Sequence, residues 1–178
     1  MNNKVHPVFS SLPINLRLLV LDFDGVFTDN SVYVNEEGMG WVRCSRGDGM
    51  GITLLRKEGL PIWVLSTEPN PVVTARCRKL KIECIQNCQD KLAVFRDLLK
   101  RLAVDPQDVV FVGNDINDVG CLIEAGCGVV VADAHPTAQE AADAVLTHAG
   151  GRGGLREICD LILEKLHQQR QENNKTVA

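Results

Sequence analysis

Short unbroken apolar runs alternate with longer amphipathic stretches along the whole chain. The first run, residues 18–21, reads Leu-Leu-Val-Leu with no polar alternation, which suits a strand buried on both faces in a parallel sheet. Residues 31–35 and 40–44 then flank Glu36, Glu37, Gly38 and Met39 and predict a β-hairpin with a short loop. Apolar Met50, Leu54 and Leu55 ahead of Gly59 predict a helix over 47–58 with a glycine C-terminal cap. A second core strand is expected at 61–66. Further helices are expected at 71–80, 90–102, 117–125 and 136–142, separated by strands at 82–85, 109–112 and 128–131. The glycine-rich segment 150–154 precedes a last helix at 155–166, whose apolar positions are Leu155, Ile158, Leu161, Ile162 and Leu166. This alternation is the signature of an α/β fold, a Rossmann-like parallel sheet flanked by helices, with the hairpin as an insertion after the first strand.

Composition narrows the picture. A chain of 178 residues fits one domain. The division expected is a partly ordered N-terminal arm at 1–15, a domain at 16–168 and a polar, frayed C-terminal tail at 169–178. The net charge is −4 with both signs interspersed, so the chain carries no electrostatic footprint for nucleic acid. No run approaches the ~20 apolar residues of a membrane span, and the N-terminal segment lacks the apolar stretch of a secretory signal. Seven cysteines, an odd number with no Cys-x-x-Cys pair, point to reduced thiols in a cytoplasmic protein, and no histidine lies near Cys84 and Cys88 to complete a zinc site.

Candidate chemistry sits at the strand ends. Asp22 and Asp24, one residue apart, leave the first strand on a turn at Gly25 and enter the crevice where open α/β sheets bind ligands. Carboxylates this close repel unless a cation lies between them, which points to a divalent metal with oxygen ligands; a solvated acidic turn is the alternative. The predicted strand at 109–112 ends in Gly113-Asn114-Asp115-Ile116-Asn117-Asp118, a second turn rich in oxygen-bearing side chains. If the two strands are neighbours, Asp22, the Asp24 carbonyl and an oxygen from Asn114 or Asp115 can surround one hard cation. Helix capping explains Asn114 or Asp115 taken singly. Lys91 and Ser66 read equally as a helix-face lysine and a turn former, or as an ammonium and a hydroxyl holding a phosphate while Asp22 attacks in line.

With these motifs in order, the chain resembles the haloacid dehalogenase phosphotransferase superfamily over residues 18–166. The residues that carry the likeness are 22–29, Ser66, Lys91 and 113–118. Residues 46–52, Arg76 and 151–157 bring it closer to the small sugar-phosphate phosphatases. That group includes the 3-deoxy-manno-octulosonate 8-phosphate and N-acylneuraminate 9-phosphate phosphatases and the C-terminal domain of some acylneuraminate cytidylyltransferases. The resemblance implies almost no cap domain, the hairpin serving as a flap, and a homotetramer in which a neighbouring subunit closes the site. It implies Mg²⁺ at Asp22, Asp24 and Asn114 or Asp115, with Asp22 forming an aspartyl-phosphate and Asp24 serving as acid and then base. Ser66 and Lys91 would stabilise the phosphoryl oxygens, and Asp118 would orient Lys91 or a metal-bound water. Thr67, Glu68, Arg76, Asp48 and Arg152 would bind substrate.

Many relatives carry Asp where this chain has Asn114, whose neutral amide brings an oxygen without charge. Asp115 taking its place, Asn114 binding through its carbonyl oxygen, and drift toward a non-catalytic role all stay open, and the intact Asp22, Asp24, Ser66 and Lys91 favour an active Mg-dependent phosphatase. Octulosonate phosphatases tend to carry Arg, and the nonulosonate type Glu, at the position of Glu68. The expected substrate is therefore a nine-carbon sugar-acid phosphate in preference to an eight-carbon one. The rival from another class is a non-catalytic oligomerisation module that assembles with a cytidylyltransferase pathway partner.

Overall fold

The computed structural model describes residues 6–176. Its centre is a six-stranded sheet built from β1 (Leu18–Leu21), β4 (Ile62–Leu65), β5 (Glu83–Ile85), β6 (Val109–Gly113), β7 (Cys127–Val130) and β8 (Ala144–Val145), in the order β5-β4-β1-β6-β7-β8. Every pairing is parallel. β2 (Thr28–Val34) and β3 (Gly40–Cys44) form a separate antiparallel hairpin directly after β1. Strands β1, β6 and β7 are buried throughout, as their unbroken aliphatic sequences require.

The helices form two layers. On one side α1 (Pro7–Ser11), α7 (Gly154–Thr176), α2 (Arg46–Lys57) and α3 (Val72–Leu80) pack in succession; on the other lie α4 (Lys91–Leu102), α5 (Val119–Glu124) and α6 (Pro136–Ala141). Phe23 stacks on Phe27, and Phe95 meets Phe111 edge to face; all four rings are buried between the sheet and its flanking elements. Helical crossovers run outward from β1 through α2 and α3 and from β6 through α5 and α6, so the order of strands reverses between β1 and β6. That reversal opens a crevice at the C-terminal ends of these two strands, where both candidate turns lie.

Three elements differ from the sequence reading. The last helix, expected to stop at Leu166, runs to Thr176, so the described part of the expected tail is helical. No glycine or proline interrupts that segment, Gln169 donates to the Ile14 carbonyl, and Arg170 pairs with Glu58. Within the expected arm, α1 buries Val8 against α7 and β8, Leu12 beyond its end is buried too, and His6 caps its first turn. Residues 1–5 of the arm and 177–178 of the tail lie outside the described residues. The helix expected from Asn117 opens instead as a 3₁₀ turn, Ile116–Asp118, before α5 begins.

Candidate active site

The site is built by strand register. Leu21 pairs with Val112, and the Asp22 amide donates to the Val112 carbonyl at 2.8 Å, so the chain leaves β1 and β6 side by side. Gly25 turns at φ +80°, and a methyl group there would lie 1.9 Å from the Asn114 amide nitrogen. Only glycine lets the Asp24-Gly25 turn close on the Asn114 side chain. The two turns read separately from the sequence therefore meet.

Lys91, the first residue of α4, reaches into this junction. Its Nζ donates to Asp22 Oδ1 at 2.7 Å and to Asp118 Oδ1 at 2.6 Å, and all three side chains are buried. Burial works against the ammonium, but the two carboxylates outweigh it and hold the Lys91 pKa above the ordinary lysine value. Burial, reinforced by Asp118 and opposed by Lys91, pushes the Asp22 carboxyl up to about 7 when no metal is bound. The other oxygen of Asp118 accepts from the Asn114 and Asp115 amides at 2.8 and 3.2 Å, so one carboxylate fixes both the lysine and the turn.

Asp24 sits at the mouth, half-buried. Thr28 donates its hydroxyl to Asp24 Oδ1 at 3.3 Å while accepting from the Gly25 and Asn30 amides at 3.0 and 3.2 Å. Burial raises the Asp24 pKa, the Thr28 bond lowers it, and the Glu68 carboxylate raises it further, with a net shift upward. Thr28 is wholly buried, and sequence reasoning passed over it; its place between the two motif acids and Asp29 was the available signal. At the end of β4, Ser66 accepts from the Glu68 amide at 3.1 Å, leaving its own hydroxyl hydrogen to donate elsewhere.

A cavity of about 450 Å³ opens beside these groups. Asp24, Thr67, Glu68 and Asn70 line its polar wall, and Val34, Val42 and Val72 line the wall formed by the hairpin and α3. Glu68 is oriented by its own backbone, since Oε1 accepts from the Asn70 amide at 2.8 Å.

The remaining candidates stand elsewhere in the single chain. Asp48 is buried at the start of α2, where Oδ1 accepts the Arg156 amide of α7 at 3.1 Å and Oδ2 has no partner. Arg76 donates to the Ser45 carbonyl at 2.9 Å and lines a separate groove with Arg46 and Lys79. Arg152 lies 3.6 Å from Asp29, which Arg43 of the hairpin also engages at 3.0 Å. Asp115 spends Oδ1 on the Ile116 amide as a helix cap, as the simpler reading of this turn allowed.

The oxygen donors that the two adjoining turns offer are the Asp22 carboxylate, the Asp24 carbonyl and the Asn114 side-chain oxygen, and the Asn114 amide nitrogen lies toward Gly25. No hydrogen bond from a described residue engages the Asn114 side chain, and no three His, Cys, Asp or Glu side chains cluster as a metal cage among the described residues. An oxygen-only donor set of this kind suits a small hard cation.

Residues 67–157 match the model of the haloacid dehalogenase-like hydrolases. The 3-deoxy-D-manno-octulosonate 8-phosphate phosphatase KdsC of Escherichia coli K12 is 39% identical over 150 residues, covering 84% of this chain and 80% of that protein. The chain belongs to the haloacid dehalogenase-like hydrolases. Within them it falls among the capless sugar-phosphate phosphatases, and its six-stranded core with a hairpin in place of a large cap agrees. A haloacid dehalogenase family hydrolase from Streptomyces avermitilis superposes with a TM-score of 0.82 at 43% identity, covering 84% of this chain and 86% of that one. The 3-deoxy-D-manno-octulosonate 8-phosphate phosphatase of Moraxella catarrhalis, solved with magnesium, phosphate and KDO, gives 0.86 at 26% identity, covering 95% and 97%. The match to the hydrolase model includes Lys91, Asn114, Asp115 and Asp118 and begins after Ser66.

Proposed function

We propose that this sugar-phosphate phosphatase cleaves the phosphomonoester of a nine-carbon sugar acid through an aspartyl-phosphate on Asp22. The observation that carries the phosphoryl chemistry is the buried Lys91 ammonium bridging Asp22 and Asp118, with a second buried donor, the Ser66 hydroxyl, at the end of β4, the strand next to β1. In this reading Lys91 and Ser66 bind the phosphoryl oxygens, and Lys91 aims the free face of Asp22 at phosphorus. The leaving sugar oxygen takes its proton from Asp24, whose pKa burial shifts upward, the direction that favours a proton donor. Asp24 then draws a proton from the water that hydrolyses the aspartyl-phosphate.

Asp22, the Asp24 carbonyl and Asn114 would hold Mg²⁺, which offsets the repulsion between the phosphate dianion and Asp22. Support for magnesium comes from the oxygen-only donor set and from the magnesium found with the Moraxella catarrhalis relative.

The sugar would extend past Asp24 into the cavity. Glu68, held there as an acceptor, suits sugar hydroxyl groups, and Glu at this position is what the resemblance associates with the nonulosonate 9-phosphates. The Escherichia coli relative, named for the eight-carbon octulosonate 8-phosphate, supports the alternative. Comparing kcat/KM for N-acetylneuraminate 9-phosphate, its deaminated analogue and octulosonate 8-phosphate decides it. We expect a nine-carbon compound to lead, and a clear lead for the octulosonate ester would remove the Glu68 argument.

Quaternary structure belongs to the same reading. Tyr33 and Trp41 pair across the hairpin and are exposed by 59% and 53%, an apolar surface that a neighbouring subunit of a homotetramer would cover. Arg76 and Arg152, which do not line their own chain's cavity, would then serve a neighbour's.

A further inference from the structure

Cys77 and Cys84 lie at the seam between α3 and β5, outside the chemistry described above. The chain reverses at Lys81, which takes φ +57°, and the Ile82 amide donates back to the Cys77 carbonyl at 3.1 Å. Strand alternation puts Cys84 on the same side as Ile82, facing α3. Both cysteines line one surface groove with Thr74 and Arg78, and Cys84 Sγ lies 3.9 Å from the Thr74 hydroxyl. Cys77 stands one helical turn after Thr74 on α3, so the two thiols face the same groove. Cys77 is buried, while Cys84 is partly open to solvent.

We propose that this pair is an oxidative modification site, with Cys84 the thiol that meets peroxide and Cys77 the thiol that resolves it into a disulfide. Hydrogen peroxide transfers one oxygen to Cys84, giving a sulfenic acid and one water. The Cys77 sulfur then attacks the Cys84 sulfur, the S–S bond forms as the S–O bond breaks, and the hydroxyl leaves as a second water with the Cys77 proton. Two thiols are oxidised and one peroxide is reduced.

The bridge would be felt at the substrate cavity. Cys84 pairs with Val64 of β4, and the next carbonyl, that of Ile85, accepts the Ser66 amide at 3.0 Å. Thr74 donates to the Gln86 side chain, whose amide donates to the Pro69 carbonyl at 2.9 Å. Drawing the Cys84 sulfur toward Cys77 takes it from Thr74 and disturbs the Thr74-Gln86-Pro69 chain that holds the loop bearing Thr67 and Glu68. Misplacement of that loop acts on sugar binding, so the disulfide raises KM and lowers kcat/KM, by about tenfold for a displacement of some tenths of an ångström.

The test uses the full chain, with Cys84→Ser and Cys77→Ser as controls, exposed to hydrogen peroxide in the folded state. Free thiols are then blocked, the peptides mapped, and sugar-phosphate hydrolysis assayed on the same samples. The expected result is one Cys77–Cys84 cross-link, two hydrogens lighter than the paired thiols. It should form with a loss of kcat/KM that dithiothreitol reverses and should be absent from both variants. Oxidation of other cysteines with no Cys77–Cys84 bridge overturns the site, as does a bridge from either residue to Cys44. A bridge that forms with kcat/KM unchanged overturns its coupling to the cavity. Because the cross-link is read by mass, its failure is distinct from a failure of the proposed catalytic function.

Discussion

The Lys91 ammonium bridges two buried carboxylates. One ammonium shared by Asp22 and Asp118 leaves a surplus of negative charge, and with burial that surplus raises the Asp22 pKa. A carboxyl with a raised folded-state pKa contributes stability below its unfolded value and loses it as pH rises through the folded value, here about 7. Metal-free protein should therefore melt at a lower temperature as pH is raised from about 4 to about 7. Asp22→Asn should flatten that decline, and Mg²⁺ should offset it in the wild-type protein. A wild-type melting temperature indifferent to pH and magnesium would contradict the electrostatic account. At this scale the sequence was legible where the chemistry is local: Asp22 and Asp24 announce themselves by spacing. Lys91 does not, because 69 residues separate it from Asp22 and only the fold makes them partners. Thr28 escaped because a buried hydroxyl bridging a turn looks like any other strand-start threonine.

Among the elements, the long buried strands and amphipathic helices were legible because their periodicity is strong. The two-residue β8 and the five-residue α1 were not, since neither is long enough to show a period. The extent of α7 was underestimated because polarity was taken for fraying, whereas Gln169 and Arg170, beyond the expected end, contact Ile14 and Glu58. Asp48 joins two elements: from α2 it accepts an amide at the start of α7, and burial raises its pKa against the Arg156 amide bond that it receives. Asp48→Ala should thus cost about 1–2 kcal/mol of stability. It should leave the hydrolysis of a small aryl phosphate unchanged per folded molecule. Unchanged stability with a raised KM for the sugar phosphate would instead make Asp48 a substrate contact, as the sequence reading supposed.

For the whole molecule, the topology explains why the active groups converge. The strand-order reversal between β1 and β6 brings four strand ends or helix starts to one crevice, and the hairpin stands over it with an apolar outer face. If the proposed homotetramer is built on this face, replacing Tyr33 and Trp41 together by glutamate should yield smaller species in light scattering than the wild-type protein gives; an unchanged mass would contradict an interface there. The central claim is that this crevice transfers a phosphoryl group to Asp22. Its most direct test is the turnover rate of Asp22→Asn, measured with Mg²⁺ and sugar phosphate beside the wild-type protein and with its folding confirmed by melting. The account predicts a loss of about 10⁴-fold or more in kcat with stability retained, and turnover within about tenfold of wild type would contradict it.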